Sequence, residues 1–246
     1  MMRPTLLLAC LLSCVVCLPA WGSGESARQL NEIASRSRLL CAAAMAYFNP
    51  REREPDPSGL TTVFHQLNML NTLVQQQGRP DALAKPLQAM RSLFNTLDGL
   101  PREQAGKYPP LVRQLLEQGR LLQQASSEAA AGIEASPQSA AFSAQSLALA
   151  TLLQDYELRG YPLPDKQLFA LSSSELQALD VAVGERFAQL QASYPQHAAE
   201  LEKIGGTYRF VRAQLQGSKG HAGGGAGFYL GRVISDLDEL AGAVGP

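Results

Sequence analysis

Two arginines, Arg36 and Arg38, lie in the segment Ala34–Cys41 and are the residues of this chain best suited to bind a ligand. Arginine is permanently charged, and its planar, forked donors match a carboxylate, nitrate or phosphate. Apolar or small residues recur around the pair at the spacing of one helix face, with Arg36 and Arg38 on its opposite flanks. Arg28 and Ser35 are expected to point away from that face. We therefore predict that Arg36 and Arg38 contact a small anionic ligand between helices.

Two other interpretations of this arginine pair remain open. Arginines at the edge of a core commonly lay their stems on apolar surface and reach water with the charged group. Alternatively, each guanidinium pairs with a carboxylate, such as that of Glu32 or one on a neighbouring helix, and serves stability. The three interpretations differ in what removal of the guanidinium does: it abolishes ligand binding, lowers stability or has almost no effect.

No other combination of residues indicates catalysis or a metal site. The three histidines, His65, His197 and His221, lie on separate segments and have no carboxylate at a metal-ligand spacing. The glycine-rich stretch 217–227 lacks the preceding strand and the Gly-Lys-Ser/Thr ending of a phosphate-binding loop, which favours a flexible linker. The sequence has neither a nucleophile elbow nor a His-Glu-x-x-His motif. We predict a protein that is not an enzyme and has no cofactor or metal.

The start of the chain indicates export. Arg3, an apolar run over residues 6–18 and a small-residue exit are typical of a secretory signal peptide, which we assign to residues 1–22. Processing as a lipoprotein at Cys14 is the alternative. After cleavage Cys41 is the only cysteine, so no disulfide is expected, and its place on the apolar face favours a core residue over a reactive thiol. The predicted location is periplasmic or secreted.

The near-neutral net charge argues against two classes of partner. The chain has 21 basic and 22 acidic residues, a net charge of −1, and loss of Arg3 with the signal peptide makes it slightly more negative. A balance this near neutrality argues against nucleic acid and against an anionic membrane surface as partner. No second apolar run is long enough to cross a bilayer, so no transmembrane segment is expected after cleavage.

Helical periodicity dominates the rest of the chain, and the alternating pattern of strands is absent. We predict an all-α protein, a helical bundle of about eight helices. Capping boxes are expected at Ser26 with Gln29 and at Ser172 with Glu175. The predicted helices span about 26–48, 61–77, 81–97, 109–129, 136–156, 172–190, 195–215 and 228–240.

The order of these helices repeats. Ser26-Ala27 leading to Leu39-Leu40 parallels Ser139-Ala140 leading to Leu152-Leu153, and the later helices correspond in turn. We therefore predict two related four-helix units, residues 23–134 and 135–246, of which the second is a degenerate copy.

The first helix carries a family resemblance. Leu30-Asn31, then Ala34-Ser35-Arg36-Ser37-Arg38-Leu39-Leu40-Cys41 and a later Ala46-Tyr47, resembles the opening helix of the PilJ-type sensor domain. That domain is the N-terminal module of type IV pilus methyl-accepting chemotaxis transducers, with the signature Ile-Asn-x-Ala-Gly-Arg-Gln-Arg-Met-Leu-Ser-Gln-Arg. The third arginine of the signature falls within Cys41–Ala44 and is absent here.

The resemblance implies an exported soluble relative of chemoreceptor sensor domains. It implies that Arg36 and Arg38 contact a small anionic ligand, or that the bundle binds a partner protein, with a homodimer as a further option. The alternative is a structural or interaction protein of the cell envelope that has no small-molecule ligand.

Overall fold

The computed structural model describes residues 21–52, 54–217 and 225–244. Within these ranges the chain forms eight α-helices and no strand, which confirms the predicted all-α helical bundle. Short 3-10 turns at Arg102–Lys107, Lys166–Leu168 and Pro195–His197 separate some of them. The helices are α1 (Trp21–Tyr47), α2 (Pro57–Gln76), α3 (Asp81–Asp98), α4 (Tyr108–Ala130), α5 (Pro137–Gly160), α6 (Ser173–Ser193), α7 (Ala198–Gln216) and α8 (Ala226–Ala243).

Several helix boundaries follow directly from local sequence chemistry. Ser172 and Glu175 form the predicted capping box of α6. The Ser136 side chain accepts a hydrogen bond from the amide of Ser139, and Pro137 occupies the first turn of α5. Gly78, predicted to stop α2, has a φ of 76° that side-chain-bearing residues rarely adopt.

The capping box predicted at Ser26 is wrong. Trp21, the first described residue, is already helical, and Ser26 lies inside α1. Its hydroxyl donates instead to Oε1 of Gln77, 2.7 Å away, just beyond the end of α2. The predicted signal peptide falls mostly on residues 1–20, which lie outside the described residues, as do Cys10, Cys14 and most of the glycine-rich linker.

Helices α1 and α5 run parallel to each other at the centre of the bundle. Arg38 contacts Gln154, and ten residues further on Phe48 accepts a hydrogen bond from the hydroxyl of Tyr161, so both chains advance in the same direction. Helices α2, α4 and α8 also contact α1, whereas α6, α7 and α8 contact α5. The surrounding helices therefore cover α1 on more than the single face predicted from its periodicity.

The consequence is clearest at Ser35, which was expected to point away from the core. Its side chain is fully buried because α8 covers that side of α1. Arg28, also expected to point outward, is largely covered as well. The apolar periodicity of α1 identified the face that packs against α2 and α4. It missed the face that packs against α5 and α8.

Two hydrophobic cores lie on either side of the central helix pair. One is built mainly from α1 to α4 and the other from α5 to α8, and each receives side chains from the other half. Leu39 and Ala42 of α1 belong to the second core, and Leu158 and Tyr161 to the first. Corresponding helix pairs are in contact in both halves: α1 with α2 and α4, and α5 with α6 and α8.

None of the helices in the described ranges has both the length and the apolar content that crossing a bilayer requires.

Candidate functional site

Glu32 lies between two arginines on one face of α1. Arg36 Nε is 2.6 Å from Glu32 Oε1, and Arg28 Nη1 is 2.7 Å from Oε2. The spacing of four residues in each direction places all three side chains in a row along the helix. Arg36 and Glu32 expose only 6% and 8% of their side chains. The guanidinium of Arg36 is therefore paired with a carboxylate, which is one of the interpretations that the sequence left open.

Neighbouring polar groups extend this row. Glu25 forms a two-pronged contact with Arg28, through Nε at 2.9 Å and Nη2 at 2.6 Å. These hydrogen bonds lower the pKa of the Glu25 carboxyl and raise that of Arg28. Gln66 on α2 accepts from Nη1 of Arg36 at 3.3 Å. Within the described residues, Arg36 thus uses Nε and Nη1, and its second terminal nitrogen, Nη2, remains a donor for a ligand.

Helix α8 brings a buried acid to the same place. The carboxylate of Asp238 accepts a hydrogen bond from Ser146 of α5 at 2.5 Å and lies 3.4 Å from the hydroxyl of Ser35. Burial, together with the nearby negative charge of Glu32, raises the pKa of Asp238 to about 7 against an ordinary value of 3.8. Arg36 and Ser146 oppose that rise without cancelling it. Asp238 therefore changes its charge near neutral pH.

An open cleft of about 350 Å³ lies above these groups, between α1, α2 and α8. Arg28, Glu32 and Arg36 form its floor. The wall from α2 includes the apolar side chains of Met69 and Leu73, and the wall from α8 carries Asp238 and Glu239. Small-molecule sites in proteins commonly occupy about 300–1,000 Å³ and combine apolar walls with a few convergent polar groups. The cleft fits that description at the lower end of the range.

Arg38, the second predicted site residue, lies elsewhere. Its Nη1 donates to Gln154 of α5 at 3.0 Å, and its Nε is buried without a hydrogen-bond partner. No ion pair joins Arg38 to a carboxylate of the described residues, and burial lowers its pKa. Two positions along a helix turn the side chain to the opposite side, so the structure does not bring Arg36 and Arg38 into one site.

The remaining candidates for chemistry have structural surroundings. Cys41 is fully buried and free, and burial raises the pKa of its thiol to about 12, so it stays protonated. His65 is exposed on α2, and His197 lies against the ring of Phe142 in a 3-10 turn. Among the described residues, no group of His, Cys, Asp and Glu side chains has the arrangement of a metal site.

Sequence reasoning missed Asp238 and Gln66 as members of the site. A signal for Asp238 was present, because it continues the apolar row of α8 through Val233, Ile234 and Leu237. An acidic residue on the buried face of a helix needs partners inside the protein. Those partners, Ser35 and Ser146, lie on two other helices and could not be identified from spacing.

A second buried aspartate, Asp180 of α6, also escaped notice. Arg212 of α7 donates to both of its oxygens, at 3.0 Å from Nε, and Tyr208 and Gln216 donate as well. Burial on its own would raise the pKa of Asp180, but these hydrogen bonds together lower it. Both carboxylate oxygens of Asp180 accept hydrogen bonds from α7, so this residue links α6 to α7 and is not available to a ligand.

An exposed aromatic patch marks the surface of the second half. The ring centroids of Phe210 on α7 and Tyr229 on α8 are 5.3 Å apart, and Phe228 adjoins Tyr229 at 5.5 Å. Phe210 and Phe228 are 66% and 70% exposed. Large apolar side chains in contact with one another at a surface often form part of an interface.

Comparison of the chain with family models, with curated proteins and with solved structures finds no match.

Proposed function

We propose that this chain is an exported helical-bundle protein, related to chemoreceptor sensor domains of the PilJ type, that binds a small ligand in the cleft between α1, α2 and α8. The observation that carries the proposal is the placement of Arg36 at the floor of that cleft. Two of its nitrogens are bonded to Glu32 and Gln66, which fixes the guanidinium in place, and Nη2 remains to donate to an anionic group.

Fixing the guanidinium before the ligand arrives favours binding. A ligand loses affinity when it must order flexible side chains, and an arginine already bonded on two sides needs little ordering. The low exposure of Arg36 adds to this, since a charge-assisted hydrogen bond is stronger where water is excluded. Arg38 lies on another side of α1, and a ligand contact there remains a separate prediction.

Thermal melting against small anions tests the proposal. Nitrate, phosphate, acetate and free amino acids are added at millimolar concentration, because a ligand that binds the folded state alone raises the melting temperature. The matched variant is Thr72→Trp, which fills the cleft from an exposed position of α2. We expect at least one compound to raise the melting temperature of the parent chain and not that of Thr72→Trp. Equal shifts in both proteins, or no shift with any compound, would refute a ligand site in this cleft.

The aromatic patch favours a second candidate, an interaction protein of the cell envelope that associates through α7 and α8. The partner in this candidate is a second copy of the chain, and the interface between the two copies would bury the exposed rings of Phe210 and Phe228. Sedimentation velocity over a hundredfold range of protein concentration tests it. A concentration-dependent dimer that Phe210→Ser abolishes supports this candidate, and a monomer throughout refutes it.

A further inference from the structure

The charges around the cleft do not suit a simple anion. Arg28 and Arg36 are balanced by Glu25 and Glu32, which contact them directly. Neither Asp238 nor Glu239 on the α8 wall forms an ion pair with a cation of the described residues, although the charges of Arg36 and Arg28 act on Asp238 from a greater distance. A ligand that carried only negative charge would gain a hydrogen bond from Arg36 but would lie close to these carboxylates and be repelled by them.

The distribution of charge over the cleft is asymmetric. The donor that remains available belongs to Arg36 on the α1 floor, and the carboxylates without an ion-pair partner belong to Asp238 and Glu239 on the α8 wall. Met69 and Leu73 supply apolar surface on the α2 wall opposite. A ligand that satisfies all three surfaces has an anionic group, a cationic group beside it and an apolar portion.

We propose that the cleft takes a small zwitterion of the α-amino-acid type, with its carboxylate on Arg36, its ammonium group at Asp238 and Glu239, and its side chain against Met69 and Leu73. This assignment rests on the proposed function, because it names the class of ligand for the same cleft. Charge pairing at both ends fixes the orientation of the ligand, and the apolar wall contributes affinity by burial.

Proton linkage follows from the position of Asp238. Facing it are Arg28, Glu32 and Arg36 from α1 and the hydroxyl of Ser146 from α5, with Glu239 adjacent on its own helix. In the free protein the pKa of Asp238 is about 7, so the acid is partly protonated at neutral pH. A bound ammonium group favours the ionised form, and binding therefore releases a proton. The affinity should fall by up to about tenfold for each pH unit below that pKa.

Matched probes separate the charge classes. The free protein amino acids are first ranked by thermal melting. The one that raises the melting temperature most is then compared by calorimetry with its analogue without the amino group and its analogue without the carboxylate, which for L-leucine are isocaproate and isoamylamine. We expect an amino acid to bind and both truncated analogues to bind at least roughly tenfold more weakly, since each lacks one charge-assisted contact. Titrations in two buffers of different ionisation enthalpy measure the proton released.

Asp238→Asn supplies the decisive variant. It retains the shape of the protonated acid and an acceptor for Ser146, so the fold is maintained, while the titrating charge is lost. We expect weaker binding of the amino acid with no pH dependence around neutrality. Glu239→Gln, at an exposed position of the same wall, should weaken binding and leave the pH dependence in place.

The outcomes distinguish this inference from the proposed function. Suppose that no amino acid binds more tightly than isocaproate or nitrate, and that Asp238→Asn does not weaken binding of that anion. The cleft is then a ligand site, but the zwitterion assignment is refuted. If isoamylamine alone binds, the anionic contact at Arg36 is refuted. If no compound binds the parent chain, both the proposed function and this inference fail.

Discussion

Arg36 and Glu32 form an ion pair on α1 with a distance of 2.6 Å between Nε and Oε1, and less than a tenth of either side chain is exposed. The pair is local in sequence, one helical turn apart, yet it is buried only because α2 and α8 pack over it. The mutual attraction of such a buried pair offsets part of the cost of taking both charges out of water, and removal of one partner leaves the other charge without full compensation.

We predict that Arg36→Ala lowers the free energy of unfolding by about 2–3 kcal/mol. Glu32 would keep Arg28 as its partner, which limits the loss. Urea denaturation followed by circular dichroism measures the change. Lys85→Ala is the matched control, because Lys85 and Asp81 form an i,i+4 pair of similar length, 2.8 Å, that is mostly exposed. That variant should be indistinguishable from the parent, and an equally silent Arg36→Ala would contradict a structural role for the pair.

Arg38 leads to the opposite expectation. Its guanidinium is mostly buried beside Gln154 and has no carboxylate partner among the described residues, so its charge is a cost to the fold. The double variant Arg38→Met, Gln154→Leu removes both polar groups and preserves most of the volume. We expect its free energy of unfolding to equal or exceed that of the parent chain. A loss greater than about 1.5 kcal/mol, more than a volume-conserving core substitution usually costs, would indicate that Arg38 has a further partner, such as a bound anion.

Local features of the fold were predictable from the sequence, and the reason is physical. The capping box of Ser172 and Glu175, the start of α5 after Ser136 and the stop at Gly78 each depend on a few consecutive residues. Helix periodicity likewise needs only a short window, so the number and order of the helices followed. The start of α1 was misplaced because Ser26 and Gln29 match a cap that the chain does not use.

Only the part of the site that lies on α1 could be predicted from the sequence. Arg28, Glu32 and Arg36 are spaced at four residues, so their pairing could be anticipated from α1 alone. Asp238 is 203 positions from Ser35, and their contact depends on how α8 packs between the two central helices. Periodicity assigns a helix one buried face, whereas α1 is covered from both halves of the bundle.

Asp238 should make stability depend on pH. Its folded pKa, about 7, lies above its ordinary value of 3.8, so the folded state binds more protons between these limits. The stabilisation that protonated Asp238 contributes is therefore fully present below about pH 4 and is lost as pH rises through 7. Its size is about 1.4 kcal/mol for each unit by which the folded pKa exceeds the unfolded pKa. Asp238→Asn should remove this slope and make the protein relatively more stable at pH 8. Chemical denaturation at pH 5, 6, 7 and 8 measures it, and an unchanged slope in the variant would exclude Asp238 as its source.

Gly119 should be the glycine least tolerant of substitution in the first core. It lies on α4 against α1, where a Cβ atom would be 2.8 Å from Sγ of Cys41 and 3.4 Å from Oγ of Ser37. Both neighbours are buried, and the Ser37 hydroxyl already donates to the carbonyl of Gly119 at 3.2 Å. The helices would have to move apart to admit a methyl group. We expect Gly119→Ala to lower the free energy of unfolding by about 1–3 kcal/mol. Replacement of a glycine by alanine inside a helix ordinarily raises that free energy instead.

Gly184→Ala makes the same chemical change in the interior of α6, where a Cβ atom would meet nothing within 4 Å. Alanine has the higher helix propensity, so this variant should gain about 0.5–1 kcal/mol. Urea denaturation of the two variants in parallel then isolates the effect of packing from that of the backbone. If Gly119→Ala is as stable as Gly184→Ala, α4 does not approach α1 as closely as the structure places it. If it is destabilised and the further change Cys41→Ala restores part of the loss, the clash with the thiol is the cause.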